Sequence, residues 1–187
     1  MAIILASQSP RRKALMELFH LPFTVRVADI DESMDPSKPP FDEVARVSRL
    51  KAQAVPREPQ DLVIAADTIV VCQGQVLGKP ADEADAYRML QLLSGTDHQV
   101  MTGMTVLQGN RCKVCTEVTD IHFRPLSHKE ISDYIATGEP MDKAGAYGIQ
   151  GGAALFAEKM VGDYYNVMGL PVCRLSQILK EFMEESQ

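Results

Sequence analysis

The sequence predicts an α/β fold built on a mixed sheet, and three stretches carry that prediction. Ile3-Ile4-Leu5-Ala6, followed by Ser7-Gln8-Ser9-Pro10, reads as strand, tight loop and helix start. Leu62-Val63-Ile64-Ala65-Ala66 is a continuous apolar run, the pattern of a strand covered on both faces. His98, Val100, Thr102, Met104 and Val106 alternate along a strand that Gln108-Gly109-Asn110 turns into a second, from Arg111 to Phe123. Long strands paired through a turn run antiparallel, so the sheet should be mixed.

In the first of these units, Ser9 suits the N-cap and Pro10 the first helical position. Ala14, Leu15, Leu18 and Phe19 follow at helical spacing. Charge is what stands out. Arg11, Arg12 and Lys13 occupy the first turn, where unpaired N–H groups already make a positive end. A cation there is unfavourable by about 0.3–1 kcal/mol. A bound anion reverses that sign, because helix N-termini hold phosphates well. Ser7 and Ser9 add hydroxyl donors. Two readings stand side by side: a phosphate site, or a solvated helix start that happens to be basic.

Phe23-Thr24-Val25-Arg26-Val27 alternates as a second strand and runs into an acidic loop, Asp29-Ile30-Asp31-Glu32-Ser33. Pro36, Pro39 and Pro40 mark an irregular connection. Phe41, Val44, Ala45, Val47 and Leu50 then define an amphipathic helix to about Ala54. Lys51 lies near its C-terminal end, where a cation complements the dipole, and that alone suffices to explain it. The apolar run from Leu62 ends in Asp67-Thr68. A carboxylate at the end of a buried strand is costly unless paired, hydrogen-bonded or metal-bound. Ligands of open α/β sheets gather beyond strand ends, which makes Asp67 the strongest single candidate for a chemical role. The competing reading is an Asp that caps a turn through Thr68.

Ile69 to Cys72, Gln73-Gly74 and Gln75-Val76-Leu77 read as a hairpin, and Gly78-Lys79-Pro80 as a turn presenting one lysine. Asp82 caps a helix with Ala86, Met89, Leu90 and Leu93 on its inner face, and Gly95 stops it. His98 is open to a catalytic or a structural reading. Ser127-His128-Lys129-Glu130 is a capping box for a helix carrying Ile131, Tyr134 and Ile135 and ending at Gly138. The stretch Glu139 to Gly152 is rich in glycine and alanine, lets backbone approach a ligand closely, and carries Glu139, Asp142 and Lys143. Its plain alternative is a glycine-rich surface loop. A strand at Ala153–Met160, a turn at Gly162-Asp163 and a closing helix with Val172, Leu175, Ile178, Leu179 and Phe182 inside complete the chain.

A chain of 187 residues fits one domain or two closely packed lobes. A net charge of −6 argues against a general nucleic-acid binder, which needs a broad basic surface. A local basic pocket in an acidic protein suits a small anionic ligand. No apolar run approaches the length of a membrane span, and the N-terminal run is too short for a secretory signal, so cytoplasm is the default location. Cys112-Lys113-Val114-Cys115 has the spacing of a redox or zinc half-site. It lies in a strand pattern, however, where residues three apart face opposite sides, and no second cysteine pair with zinc-like spacing exists.

Taken in order, Ser7-x-Ser9-Pro10-Arg11-Arg12, Ala66-Asp67-Thr68, Gly78-Lys79-Pro80, His98-x-Val100-x-Thr102-Gly103 and Asp142-Lys143-Ala144-Gly145-Ala146-Tyr147-Gly148-Ile149-Gln150-Gly151 resemble the motifs of Maf proteins, which are nucleoside triphosphate pyrophosphatases. The resemblance covers essentially the whole chain, as a single Maf-like domain over 1–187, and is nearest to the branch acting on dTTP and UTP. It implies a fold similar to the Maf and inosine triphosphatase families: a long twisted mixed sheet flanked by helices, two lobes with a central cleft, and commonly a homodimer. It also implies a reaction in which a nucleoside triphosphate and water give the monophosphate and pyrophosphate. Ser7, Ser9, Arg12, Lys51 and Lys79 then form the phosphate clamp. Glu32 and Asp67 become the carboxylates for a divalent cation, Mg²⁺ or Mn²⁺, with Asp67 also the acceptor of the proton from the attacking water. The family branch that prefers 7-methyl-GTP has Trp, Gln and Glu where this chain has Arg11, Thr68 and Gln150, which assigns base choice to those three. No nucleic-acid polymer or membrane is implied as a partner. Two other roles are compatible with the family: cleavage of methylated or modified nucleotides, and a non-enzymatic nucleotide-binding role in septum formation.

Overall fold

The computed structural model describes residues 1–184. Its strands form a seven-stranded mixed sheet. β1 (Ile3–Leu5) runs parallel to both β2 (Phe23–Val25) and β3 (Leu62–Cys72), with Ile3 opposite Phe23 on one side and Leu62 on the other. β4 (Gln75–Leu77) folds back antiparallel on the end of β3, with Cys72 opposite Gln75. β5 (Asp97–Gln108) and β6 (Arg111–Phe123) carry the sheet onward, and β7 (Ala157–Val161) pairs antiparallel with β6. The helices are α1 (Pro10–Glu17), α2 (Pro40–Ala54), α3 (Glu83–Leu93), α4 (His128–Ala136), α5 (Tyr164–Met168) and α6 (Val172–Glu184). No described helix is long and apolar enough to cross a membrane.

The chain divides into two compact units. The first holds residues 1–67, residues 102–117 and the C-terminal part from Gly169. Ile4, Ala6, Val63 and Ala65 from the strands pack with Ala52 and Val55 from the end of α2. Gly103 sets how closely α2 lies against β5. A Cβ there would sit 2.3 Å from the carbonyl oxygen of Val44, so only glycine admits the helix at this distance. Ser48 and Thr105 share a 2.8 Å hydrogen bond between their hydroxyls in the same interface. The helix is thereby fixed one turn before Lys51.

The second unit holds residues 68–101 and 118–168. Its core joins Met89, Leu90 and Leu93 of α3 to Ile131 and Tyr134 of α4, with Phe123 and Phe156. The His98 imidazole is buried there, edge-on to Phe123, and its Nε2 lies 2.8 Å from the Tyr147 hydroxyl. The helix caps follow the sequence reading. Ser9 accepts from the Arg12 N–H, Asp82 from the Asp85 N–H, and Ser127 and Glu130 close a capping box.

Several elements depart from expectation. β3 does not stop at Ala66. It runs on to Cys72 because its last residues pair with β4, so Asp67 and Thr68 lie within a strand rather than beyond its end. β2 ends at Val25, and Val25 and Val27 are exposed. α1 has only eight residues, so its buried side chains are Leu15 and Met16, while Ala14 is exposed and Leu18 is 55% exposed. Phe41 is likewise exposed. The strand expected at Ala153–Met160 begins later, because Gly152–Leu155 winds into a 3₁₀ turn closed by the Ala154 N–H to the Gly151 carbonyl. The short helix α5 was not anticipated. Asp163 accepts from the Tyr165 N–H at its start, so the expected turn residue also opens a helix.

Candidate functional site

Three segments of the first unit bring opposite charges together. The Lys51 ammonium, from the last turn of α2, donates to Asp67 Oδ1 at 2.7 Å and to Glu32 Oε2 at 2.8 Å. The side chains of Lys51 and Asp67 are only 15% and 12% exposed, and that of Glu32 is 58% exposed. A helix dipole does not require a lysine to be buried between two carboxylates. Asp67 does require a cation, since an unpaired carboxylate inside the sheet would be strongly unfavourable.

Arg12 lies within electrostatic reach of Asp67 and Glu32. Its Nε donates to the carbonyl oxygen of Gly169 at 2.7 Å, and its Nη1 reaches Ser7 Oγ at 3.3 Å. Its backbone N–H donates to Ser9 Oγ at 3.4 Å, while the Ser9 N–H donates to Ser7 Oγ at 3.2 Å. Burial lowers the guanidinium pKa. The negative field of Asp67 opposes that, Arg11 adds to it, and Glu32 opposes it again. An arginine half-buried and hydrogen-bonded this way at a helix start is not a solvated basic residue. The structure thus assembles Ser7, Ser9, Arg12, Glu32, Lys51 and Asp67 in one unit, with Arg11 half-buried beside them on α1.

The other predicted residues belong to the second unit. Thr68 follows Asp67 on β3 and is half-buried, while Lys79 and Gln150 are exposed. The Gly145 N–H donates to the Gly78 carbonyl at 3.0 Å, so the turn bearing Lys79 adjoins the glycine-rich stretch. Gly145 has φ +68°, and a Cβ there would lie 2.8 Å from Val70 Cγ2. Glu139 braces the stretch from inside. It accepts from the Tyr134 hydroxyl at 3.0 Å and from the Gly152 N–H at 3.1 Å. Lys143 Nζ donates to the Glu139 carbonyl and to Asp142 Oδ1, both at 2.7 Å. These charged residues shape the segment that carries Gln150.

His98 is a packing residue. Burial pushes its imidazole pKa down to about 4, and its ring contacts are Phe123 and Tyr147. The four cysteines, Cys72, Cys112, Cys115 and Cys173, are free thiols. Among the described residues, no group of three or more His, Cys, Asp and Glu is placed to hold a metal ion.

Sequence reasoning missed two supporting groups and the role of a third. The Gly169 carbonyl that fixes Arg12 left no side-chain signal. Glu139 is legible as a carboxylate in the glycine-rich stretch, but not as the acceptor that braces it. Glu43 and Arg46 carried a usable one, an acid and a base three apart on a helix, which reads at first sight as an ordinary surface pair.

Comparison with known proteins extends over nearly the whole chain. The family model described as Maf-like protein matches residues 2–182. A protein of Symbiobacterium thermophilum named dTTP/UTP pyrophosphatase is 50% identical over 181 residues, covering 96% of this chain and 93% of that protein. One of the same name from Geobacillus sp. strain WCH70 is 50% identical over 179 residues, covering 95% and 96%. Among solved structures, a HAM1 protein from Coxiella burnetii aligns with a TM-score of 0.52 at 16% identity, covering 97% of this chain and 100% of that one. That last likeness is one of fold.

Proposed function

This chain belongs to the Maf family, and from that premise we propose that it hydrolyses dTTP and UTP to the monophosphate and pyrophosphate. The observation that carries the reading is the match, at 50% identity over nearly the full length, to relatives named for that activity. The charge cluster of the first unit supplies a chemistry for it. A triphosphate carries several negative charges, so its hydrolysis is accelerated mainly by positioning and electrostatic stabilisation. Arg12 and Lys51 provide half-buried cations, and Ser7 and Ser9 provide hydroxyls at the start of α1. Lys79 adds a cation in the second unit. Arg11, Thr68 and Gln150 take base selection, as the family resemblance assigns them.

In the reaction, a water oxygen attacks the α-phosphorus and the bond from that phosphorus to the α,β-bridging oxygen breaks. Pyrophosphate leaves, and the proton from water passes to the Asp67 carboxylate. Asp67 is suited to that role because its charge is held in a nearly buried position by Lys51. Its carboxylate chemistry also suits a divalent cation. Mg²⁺ is commonly held by one or two carboxylates with the remaining oxygens from substrate phosphates and water. Glu32 and Asp67 already converge on one positive group, the Lys51 ammonium, so they are the residues that would hold Mg²⁺ or Mn²⁺. Such an ion, when bound, neutralises phosphate charge and lowers the pKa of bound water.

By the same family reading, the chain acts as one catalytic domain over 1–187, in the cytoplasm, with a nucleotide rather than a nucleic-acid polymer or a membrane as its partner, in a family whose members are commonly homodimers. The test of the activity is pyrophosphate release by the purified protein from dTTP and UTP with Mg²⁺ or Mn²⁺. Monophosphate and pyrophosphate in equal amounts are expected. Stoichiometric nucleotide binding without release would instead make the protein a nucleotide-binding regulator.

A further inference from the structure

We propose that the buried Glu43 and the half-exposed Arg46 form a brace that positions Glu32, an inference that rests on reading Glu32 as a metal-binding carboxylate. Glu43 is 2% exposed, which is unusual for a carboxylate. Its Oε1 accepts from Arg46 Nε at 2.9 Å and its Oε2 from Arg46 Nη2 at 2.8 Å, a bidentate pair. Both members also hold backbone. Glu43 Oε2 accepts from the Asp35 N–H at 2.8 Å, and Arg46 Nη2 donates to the Ser33 carbonyl at 2.7 Å. Of the two gripped residues, Ser33 directly follows Glu32 and Asp35 lies two positions further on.

The segment from β2 to α2 has no regular structure of its own. Asp31 accepts from the Ser33 N–H and Asp35 from the Ser37 N–H, which shapes the segment locally. The Glu43–Arg46 pair instead ties it to a rigid helix. That helix is α2, whose distance from β5 is fixed by the close approach at Gly103, and which carries Lys51 further along. One helix therefore holds the ammonium and, through the brace, the exposed carboxylate that meets it. Hydrogen bonds from Arg46 keep the Glu43 carboxyl down at about 2, so the brace is ionised throughout the neutral range. Glu43 and Arg46 are positioning residues, and they act through Glu32.

A double-mutant cycle on the full-length protein tests this. Mn²⁺ affinity is measured by electron paramagnetic resonance with an α,β-imido UTP analogue present, for Arg46→Ala, Glu43→Gln and Glu32→Ala, and for each brace variant combined with Glu32→Ala. Glu32→Ala should weaken Mn²⁺ binding. Arg46→Ala should weaken it about 5- to 20-fold with Glu32 present and leave it unchanged once Glu32 is gone. Should Arg46→Ala fail to fold, Arg46→Lys carries the same test, since it keeps the charge but lacks the fork that spans Glu43 and Ser33. An equal loss with and without Glu32, or a lower melting temperature with unchanged Mn²⁺ affinity, overturns the brace and leaves the metal reading standing. Unchanged Mn²⁺ affinity in Glu32→Ala overturns both.

Discussion

Lys51 and Asp67 form a nearly buried ion pair, Nζ to Oδ1 at 2.7 Å, between the last turn of α2 and the middle of β3. The same ammonium reaches Glu32, so one cation serves two carboxylates. Lys51→Ala should lower kcat/KM for UTP by at least tenfold, since loss of a desolvated charge contact costs about 2–5 kcal/mol. A lower melting temperature with unchanged kinetics would reduce Lys51 to a helix-end residue.

Arg11, Thr68 and Gln150 are assigned to base choice by resemblance alone. A Trp face holds a cationic methylated purine, and a Glu accepts from guanine N–H groups, whereas Gln150 offers both a donor and an acceptor to uracil or thymine. The triple variant Arg11→Trp, Thr68→Gln, Gln150→Glu should shift the UTP to 7-methyl-GTP ratio of kcat/KM toward the methylated purine. Equal falls in both, with the ratio unmoved, would remove these residues from base reading.

Gly103 belongs to a motif whose glycine proves structural. Gly103→Ala drives a Cβ to 2.3 Å from the Val44 carbonyl and 2.7 Å from the Ala45 nitrogen, both backbone atoms that yield only if α2 moves. Overpacking of this kind typically costs about 1–3 kcal/mol, occasionally more. A fall in melting temperature is expected, with activity reduced because Lys51 moves with its helix. A variant as stable as the parent would show that α2 is not held where Gly103 places it.

Stability should also depend on pH through His98. Its folded pKa, about 4, lies below the ordinary 6.5, so between these values the unfolded chain binds the extra proton. Stability therefore falls as pH drops from about 6.5 to 4, by on the order of 3 kcal/mol. Glu43 and Glu130, both held near 2 by arginine hydrogen bonds, act in a lower window, losing their contribution as pH falls from about 4.5 to 2. Melting temperatures of the parent should decline across the upper window, and His98→Gln should flatten that decline. Parallel curves would contradict the assignment.

The strands, caps and core faces were legible where a single period governs the residues. Leu62 to Ala66 is a run that only a covered strand explains, and Ser127 with Glu130 is a reciprocal cap. Failures came where pairing partners decide. β3 passes through Asp67 because the strand goes on pairing beyond it, Val70 to Cys72 with β4, which no local pattern at Asp67-Thr68 encodes. In the site, local charge anomalies pointed to Arg12 and Asp67. Lys51 had a sufficient local explanation, and only the fold shows its ammonium between two carboxylates. Gly169 and the Glu43–Arg46 brace act through backbone groups, which side-chain patterns do not reveal.

In the proposed reaction Asp67 takes the proton from the attacking water. Asp67→Asn keeps the shape of the side chain and removes its charge and basicity. The direct measurement is pyrophosphate release from UTP by this variant, with circular dichroism as the check on folding. Near-complete loss of turnover in a folded protein is predicted. Turnover within a few fold of the parent would contradict the account.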